Sequence, residues 1–330
     1  WTLSRGLGDV YKRQPLIAWV FGLGKYAVGV SWIYVSIHQY GGASPLLAGI
    51  MVAVFVAFMA LFCLPIGWFL GKLEASKQNI SKSVLAMGFV ATWVLMEWML
   101  TWFLTGFPWL FAGHAMLGTP LQGYAPIVGN LGISLVVLTI TVAVMLSVDQ
   151  TQPWKMRLAM AGVAVVLAGL GVSLDRQVWT KPTGRYEAAL VQGNIDQAIK
   201  WDADQRLNNV RKHMQLSEDH WDTDILIWPE FALTLYGQDA VAVTDLLNRR
   251  GESSQTNVVI GMPDVQWQDQ ERYQVFNSAQ GFGQASGKFA KYHLVPFGDY
   301  VPLQHYLRGF IEFFDLPMSN ASRGARQQAN

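Results

Sequence analysis

The run Asp224-Ile225-Leu226-Ile227-Trp228-Pro229-Glu230 sets four consecutive apolar residues, β-branched and aromatic in type, between an acid and a proline. An apolar run of this length and composition reads as a strand buried on both faces within a mixed sheet. Proline has no amide hydrogen for a ladder, so the strand stops at Pro229 and Glu230 stands at its mouth. A carboxylate held rigidly and half-desolvated at the end of a buried strand suits general-base chemistry. Taken alone, a glutamate after a strand is more commonly a solvated loop residue.

Outward from this strand the pattern alternates between strands and helices. Arg185 to Gln192 alternates as a strand and ends in the turn signal Gln192-Gly193-Asn194. Ala203 to Trp221 has helical spacing, with Leu207, Val210, His213 and Met214 on neighbouring faces, and Ala240 to Arg250 predicts a second helix. Val258 to Gly261 is another buried strand, while Gln274–Gly281 and Ala285–Tyr292 read as a strand pair joined through Gly283. Such a succession predicts an α/β sandwich. No glycine-rich phosphate loop opens a helix, so nucleotide binding has no support.

Upstream the composition changes abruptly. Residues 15–174 carry nine Asp, Glu, Lys or Arg, and residues 175–330 carry thirty-four. The first part is therefore predicted to be a membrane domain and residues 183–330 a globular one. A net charge of +1 over 330 residues does not suit nucleic-acid binding. The single cysteine, Cys63, excludes an internal disulfide framework and a cysteine-rich metal site. Residues 1–14 are polar and do not continue the apolar pattern that begins at Pro15; they read as a non-native leader, outside the fold.

Five spans are expected, at 15–37, 46–70, 84–104, 127–148 and 158–174. Lys25 lies near enough to one end of its span to snorkel, and Glu97 lies inside the third, where an ionisable group is costly and a functional candidate by default. The loops at 71–82 and 149–157 are basic, and those at 38–45 and 105–126 contain no Lys or Arg. The positive-inside rule then puts the basic loops in the cytoplasm and the globular domain outside, which in a double-membraned bacterium is the periplasm. The outer segment Gly106-Phe107-Pro108-Trp109-Leu110-Phe111 is apolar yet too short to span, and should lie in the interface as part of a lipid entrance.

A second chemical segment is Lys291-Tyr292-His293-Leu294-Val295-Pro296-Phe297-Gly298-Asp299-Tyr300-Val301-Pro302. Lys291 ends a strand as Glu230 does, and Pro296 and Gly298 turn Asp299 back toward it. Paired with Trp228-Pro229-Glu230, this segment resembles the carbon–nitrogen hydrolase (nitrilase) superfamily, whose triad is Glu, Lys and Cys. With the membrane half in front, the chain resembles the apolipoprotein N-acyltransferase family from about Phe21 onward. The matching segments are 105–110, Val191-Gln192-Gly193-Asn194-Ile195, Lys200-Trp201-Asp202, Phe276-Asn277-Ser278-Ala279, 291–302, Leu316-Pro317-Met318-Ser319 and Arg323-Gly324. Two departures stand out: Asp299 occupies a position usually held by Glu, and the family's nucleophilic cysteine and a final span are expected after the Arg323-Gly324 region, beyond Asn330.

The resemblance implies a multi-span α-helical domain followed by an αββα nitrilase-like domain that is incomplete at its C-terminus. It implies acyl transfer from a phospholipid to the α-amine of a diacylglyceryl-cysteine apolipoprotein, through a cysteine thioester, at the bacterial inner membrane. Glu230 would be the base, Lys291 the oxyanion stabiliser and Asp299 a second carboxylate holding Lys291. Trp201, Trp109, Phe107 and Tyr300 are the candidate substrate-binding residues: Trp201 to cover the site, the Trp109 loop to admit lipid. No metal or organic cofactor is required. The 330 residues alone are expected to form no acyl-enzyme. The competing readings are a membrane-tethered amidase that uses water as acceptor, and a non-enzymatic transporter or receptor with Glu97 on its path.

Overall fold

The computed structural model describes residues 2–76, 80–197, 199–235, 237–269, 272–296, 298–300 and 320–328, with backbone alone through Lys12. The chain forms two units, residues 1–38 with 43–181 and residues 39–42 with 182–330.

In the second unit, β2 (Ile225–Trp228) occupies the predicted residues. It pairs in parallel with β1 (Ala188–Leu190) on one side and with β3 (Asn257–Trp267) on the other. Parallel neighbours need crossovers. The connections contain α8 (Arg206–Ser217) between β1 and β2, and α9 (Gln238–Ser254) between β2 and β3. β4 (Tyr273–Gly283) then runs antiparallel to β3 over its whole length, and β5 (Lys288–Ala290) antiparallel to β4, which among the described residues gives a mixed five-stranded sheet in sequence order.

The strand is not buried equally on its two faces. Leu226 and Trp228 are closed off with Val258, Ile260 and Leu247, whereas Ile225 and Ile227 are only half-buried. Full burial of such side chains stabilises by roughly 1.5–3 kcal/mol each, so one face carries the core. α8 covers that face through a polar chain as well as apolar contacts: Trp228 Nε1 donates to Ser217 Oγ at 2.9 Å, and Ser217 Oγ donates to the His213 carbonyl at 2.8 Å.

The first unit is helical. α1 (Thr2–Gly29) runs through Pro15 without ending there; Gln14 and Pro15 lie against Gly67, where a Cβ would meet the Gln14 carbonyl at 2.3 Å. It is followed by α2 (Ile33–Val35) and a further turn to Tyr40, then α3 (Pro45–Leu61) and α4 (Leu64–Ala75). α5 (Lys82–Met99), α6 (Ala125–Val148) and α7 (Trp154–Asp175) complete the set. Pro45–Ala75, Pro120–Val148 and Trp154–Asp175 are long and apolar enough to cross a membrane, and the bent pair Arg13–Gly29 and Ile33–Tyr40, 59° apart, makes a fourth if it is one span. The predicted span at 84–104 falls on α5, which carries Lys82 and Glu97, ends at Met99 and lies outside that set.

Lys25 does not snorkel. Its Nζ is buried over the rings of Trp93, 4.9 Å from the centroid, and Tyr26, at 5.3 Å. Aromatic faces attract an ammonium group, and here they retain it inside the unit.

Candidate active site

Pro229 ends β2, and the next two residues turn sharply, with Phe231 at φ 51°. A left-handed φ at a bulky residue is uncommon and strained, so the turn is held by its surroundings. Gly261 of β3 lies directly beneath it. A Cβ there would meet the Pro229 carbonyl at 2.4 Å and Glu230 Cα at 2.6 Å, so only glycine lets the turn settle on the sheet. The Leu233 amide donates to the Gly261 carbonyl at 3.3 Å and the Lys200 ammonium to the Glu230 carbonyl at 3.1 Å. Burial lowers the Lys200 pKa, with the Glu230 charge opposing.

Lys291 follows β5 and extends its ladder by one bond, donating its amide to the Asn277 carbonyl of β4 at 2.7 Å. Gly324 then donates to the Lys291 carbonyl at 3.0 Å, and a Cβ on Gly324 would meet the Ala290 carbonyl at 2.3 Å, so the Arg323-Gly324 segment lies flat along β5. Asp299 returns through a tight turn: its amide donates to the Val295 carbonyl at 2.8 Å and its Oδ2 accepts from the Val295 amide at 2.8 Å.

These elements bring three predicted catalytic residues together. Lys291 Nζ lies 3.2 Å from Glu230 Oε1 and 2.9 Å from Asp299 Oδ2. Asp299 is buried and Lys291 about two-thirds covered, whereas the Glu230 side chain is 61% exposed among the described residues. The expected half-desolvated base is therefore more open than the sequence suggested. The turn after Pro229 lifts Glu230 off the sheet, and among the described residues its side-chain partners meet Oε1. Burial works against the Lys291 charge, but the hydrogen bond and charge of Asp299, then those of Glu230, outweigh it and raise its pKa. Lys291 is thus an ammonium throughout the neutral range.

A fourth member was missed as a site residue. Asn277 is buried, and its Nδ2 donates to Glu230 Oε1 at 2.5 Å and to Asp299 Oδ1 at 3.2 Å. One amide nitrogen thus spans both carboxylates, sharing Glu230 Oε1 with the ammonium. The sequence signal was present in Phe276-Asn277-Ser278, where two consecutive polar residues follow an aromatic one; these three are the buried residues of β4, and buried polar groups need partners.

The candidate substrate-binding residues divide between the units. Trp201 packs edge-on against Phe231, ring centroids 5.2 Å apart, and so flanks the Glu230 turn. Tyr300, half-buried, follows Asp299 and forms bridges with Pro296 and Asn320. In the first unit Phe107 packs edge-on against Phe55 at 5.3 Å, and Trp109, 45% exposed, rests on Trp32 and donates Nε1 to the Gly29 carbonyl at 3.2 Å. Leu104, Thr105, Gly106 and Leu110 all have positive φ, so the loop is held in one strained shape. Among the described residues no cluster of three or more His, Cys, Asp or Glu is arranged to hold a metal.

Residues 2–143 match the family model for the apolipoprotein N-acyltransferase N-terminal domain, and residues 187–326 that for carbon-nitrogen hydrolase. The chain is 37% identical over 328 residues to an apolipoprotein N-acyltransferase of Pseudomonas syringae pv. tomato, covering 98% of this chain and 64% of the relative. Identity is 37% over 330 residues to that of Pseudomonas putida (99% and 65%), and 33% over 330 residues to that of Vibrio cholerae (97% and 63%). The chain spans just under two thirds of the length of these relatives. The two domain matches stand in order on one chain, and its similarity to apolipoprotein N-acyltransferases runs over nearly all of it, with Glu230, Lys291 and Asp299 inside the segment that matches carbon-nitrogen hydrolase.

Proposed function

We propose that this chain supplies the base and the oxyanion-stabilising cation for acyl transfer from a membrane phospholipid to the α-amine of a diacylglyceryl-cysteine on an apolipoprotein. The observation that carries the reading is Lys291 Nζ seated between Glu230 and Asp299, 3.2 and 2.9 Å away.

In the first half-reaction Glu230 takes the proton of a cysteine thiol, and the thiolate attacks the ester carbonyl carbon of the phospholipid. Negative charge gathers on the carbonyl oxygen, and Lys291 faces it as a fixed ammonium. Collapse breaks the ester C–O bond, and the leaving lysophospholipid oxygen receives the proton held on Glu230. In the second half-reaction the lipoprotein amine attacks the thioester, Glu230 accepts its proton, an amide forms and the thiol is restored. Cys63, the single cysteine of the sequence, is not suited to that role: it is 1% exposed, within 3.9 Å of the Met96 sulfur, and packed against Gly22.

The proposal extends to architecture and placement: a five-span membrane domain, a two-sheet αββα domain held in the periplasm, and the bacterial inner membrane as site. Two observations support a common side for the basic loops and for the outer segments. Lys82 Nζ meets Asp149 at 2.6 Å and Thr151 at 2.8 Å, joining the two basic loops. At the opposite end of α7, Asp175 accepts from Gln122 at 3.0 Å, beside the apolar connection.

The test is product identity. The full-length enzyme in proteoliposomes is given phospholipid with a labelled acyl chain and a diacylglyceryl-cysteine peptide, and the label is expected on the peptide's amine. Release of labelled fatty acid in place of that product would make water the acceptor and the protein a hydrolase.

A further inference from the structure

The proposed acyl transfer assigns no role to Glu97 or Lys25, yet both carry buried polar atoms in the first unit. Glu97 is fully buried; its Oε1 accepts from Trp93 Nε1 at 2.9 Å and from the Ala112 amide at 2.8 Å. Its Oε2 is buried and has no hydrogen-bond partner among the described residues. The same holds for Lys25 Nζ, which lies over the Trp93 ring, and for the hydroxyl of the fully buried Tyr26. Lys25 and Glu97 thus both contact one indole, at its ring and at its N–H, and the Lys25 ammonium also lies 5.3 Å from the Tyr26 ring centroid. Buried polar atoms in native proteins almost always have partners, and isolated charges above all.

The character of the missing partner follows from the charges. Lys25 disfavours a cation there and Glu97 an anion, so the occupant is neutral and must both donate and accept. Tyr26, Met96 and Cys63 belong to one buried cluster, with Trp93 packed against it. Water satisfies these demands when two to four polar groups converge on it. We propose that Lys25, Tyr26 and Glu97 enclose internal water that bridges the ammonium to the carboxylate and completes a buried charge pair between α1 and α5. The pair also fixes the outer loop, because the second bond of Glu97 Oε1 holds Ala112, the first residue of the 3-10 turn Ala112–Met116 after Phe107 and Trp109. The next amide, Gly113, is pinned to Ser134 Oγ at 2.8 Å, so that end of the loop is fixed at two successive residues.

Two measurements on the full-length protein in nanodiscs test the site. X-ray hydroxyl-radical footprinting in isotopically heavy water reports bound water beside buried side chains. Tyr26 and Met96 are expected to be oxidised, with label from bulk entering slowly, and Lys25→Met with Glu97→Gln is expected to abolish that oxidation while the exposed Trp267 reacts unchanged. Unmodified Tyr26 and Met96 in the wild type would make the cluster dry and overturn the water. In thermal unfolding, Lys25→Met and Glu97→Gln should each lower the melting temperature by leaving one buried charge alone, and the double variant should lose less than the sum. Additive losses would overturn the pairing.

Discussion

Asn277 shows how much of the site depends on one neutral side chain. Its single nitrogen reaches both Glu230 and Asp299, so it keeps two carboxylates close together around Lys291. Asn277→Leu is expected to lower the rate of acyl transfer by roughly tenfold to a hundredfold, because Glu230 then loses the bond that aims it. The loss in stability should stay near the ~1–3 kcal/mol of an unsatisfied buried polar group. An unchanged kcat in this variant would remove Asn277 from the site. At this scale the sequence was legible where punctuation marks a position: Pro229 exposed Glu230, and the Pro296–Gly298 turn exposed Asp299. Asn277 sits mid-strand with no such mark, and its role exists only because β4 pairs with β3 and β5. The openness of Glu230 was also hidden, since burial of a strand says nothing about the turn that follows it.

Among the elements, α8 is tied to β2 by its buried polar side chains. His213 donates Nδ1–H to the Asn209 carbonyl at 2.8 Å, lies 5.2 Å from the Trp228 ring, and leaves no room for a Cβ on Gly193, which would come within 2.6 Å. Burial lowers its pKa, only partly opposed by the Asn209 bond, and the charges of Lys200 and Lys212 act with burial. The sign is then fixed: on acidification the unfolded chain takes up the histidine proton first, so stability falls as pH drops below the ordinary range near 6.5. The urea midpoint of the second unit's unfolding should therefore decline from about pH 7.5 to about pH 5.5, and His213→Gln should flatten that decline. An equal slope in wild type and variant would assign the pH dependence elsewhere. β2 was read to the residue because its composition, length and closing proline agree. β3 was read only from Val258 to Gly261; pairing along the full length of β4 carries the strand to Trp267 instead.

At the scale of the whole molecule, the division into an apolar and a charged half was plain from composition, because a bilayer excludes charge that water-facing domains require. The bend near residue 30 and the burial of Lys25 were not, since both depend on which aromatic rings meet in three dimensions. The topology proposed above predicts that a cysteine at Gln238 is labelled by an impermeant thiol reagent on intact spheroplasts and one at Thr151 is not, in a full-length protein whose other cysteines are unreactive. The reverse pattern would invert the molecule. The central claim, that Glu230 and Lys291 do the chemistry of acyl transfer, is tested most directly by rapid-quench measurement of thioester formation from labelled phospholipid. Wild-type full-length enzyme, Glu230→Gln and Lys291→Ala are compared in proteoliposomes. Removing the base or the oxyanion cation should each slow thioester formation by roughly a hundredfold or more while the fold is retained. A Glu230→Gln enzyme that forms the thioester at the wild-type rate would contradict the account and leave Glu230 an ordinary residue of an exposed turn.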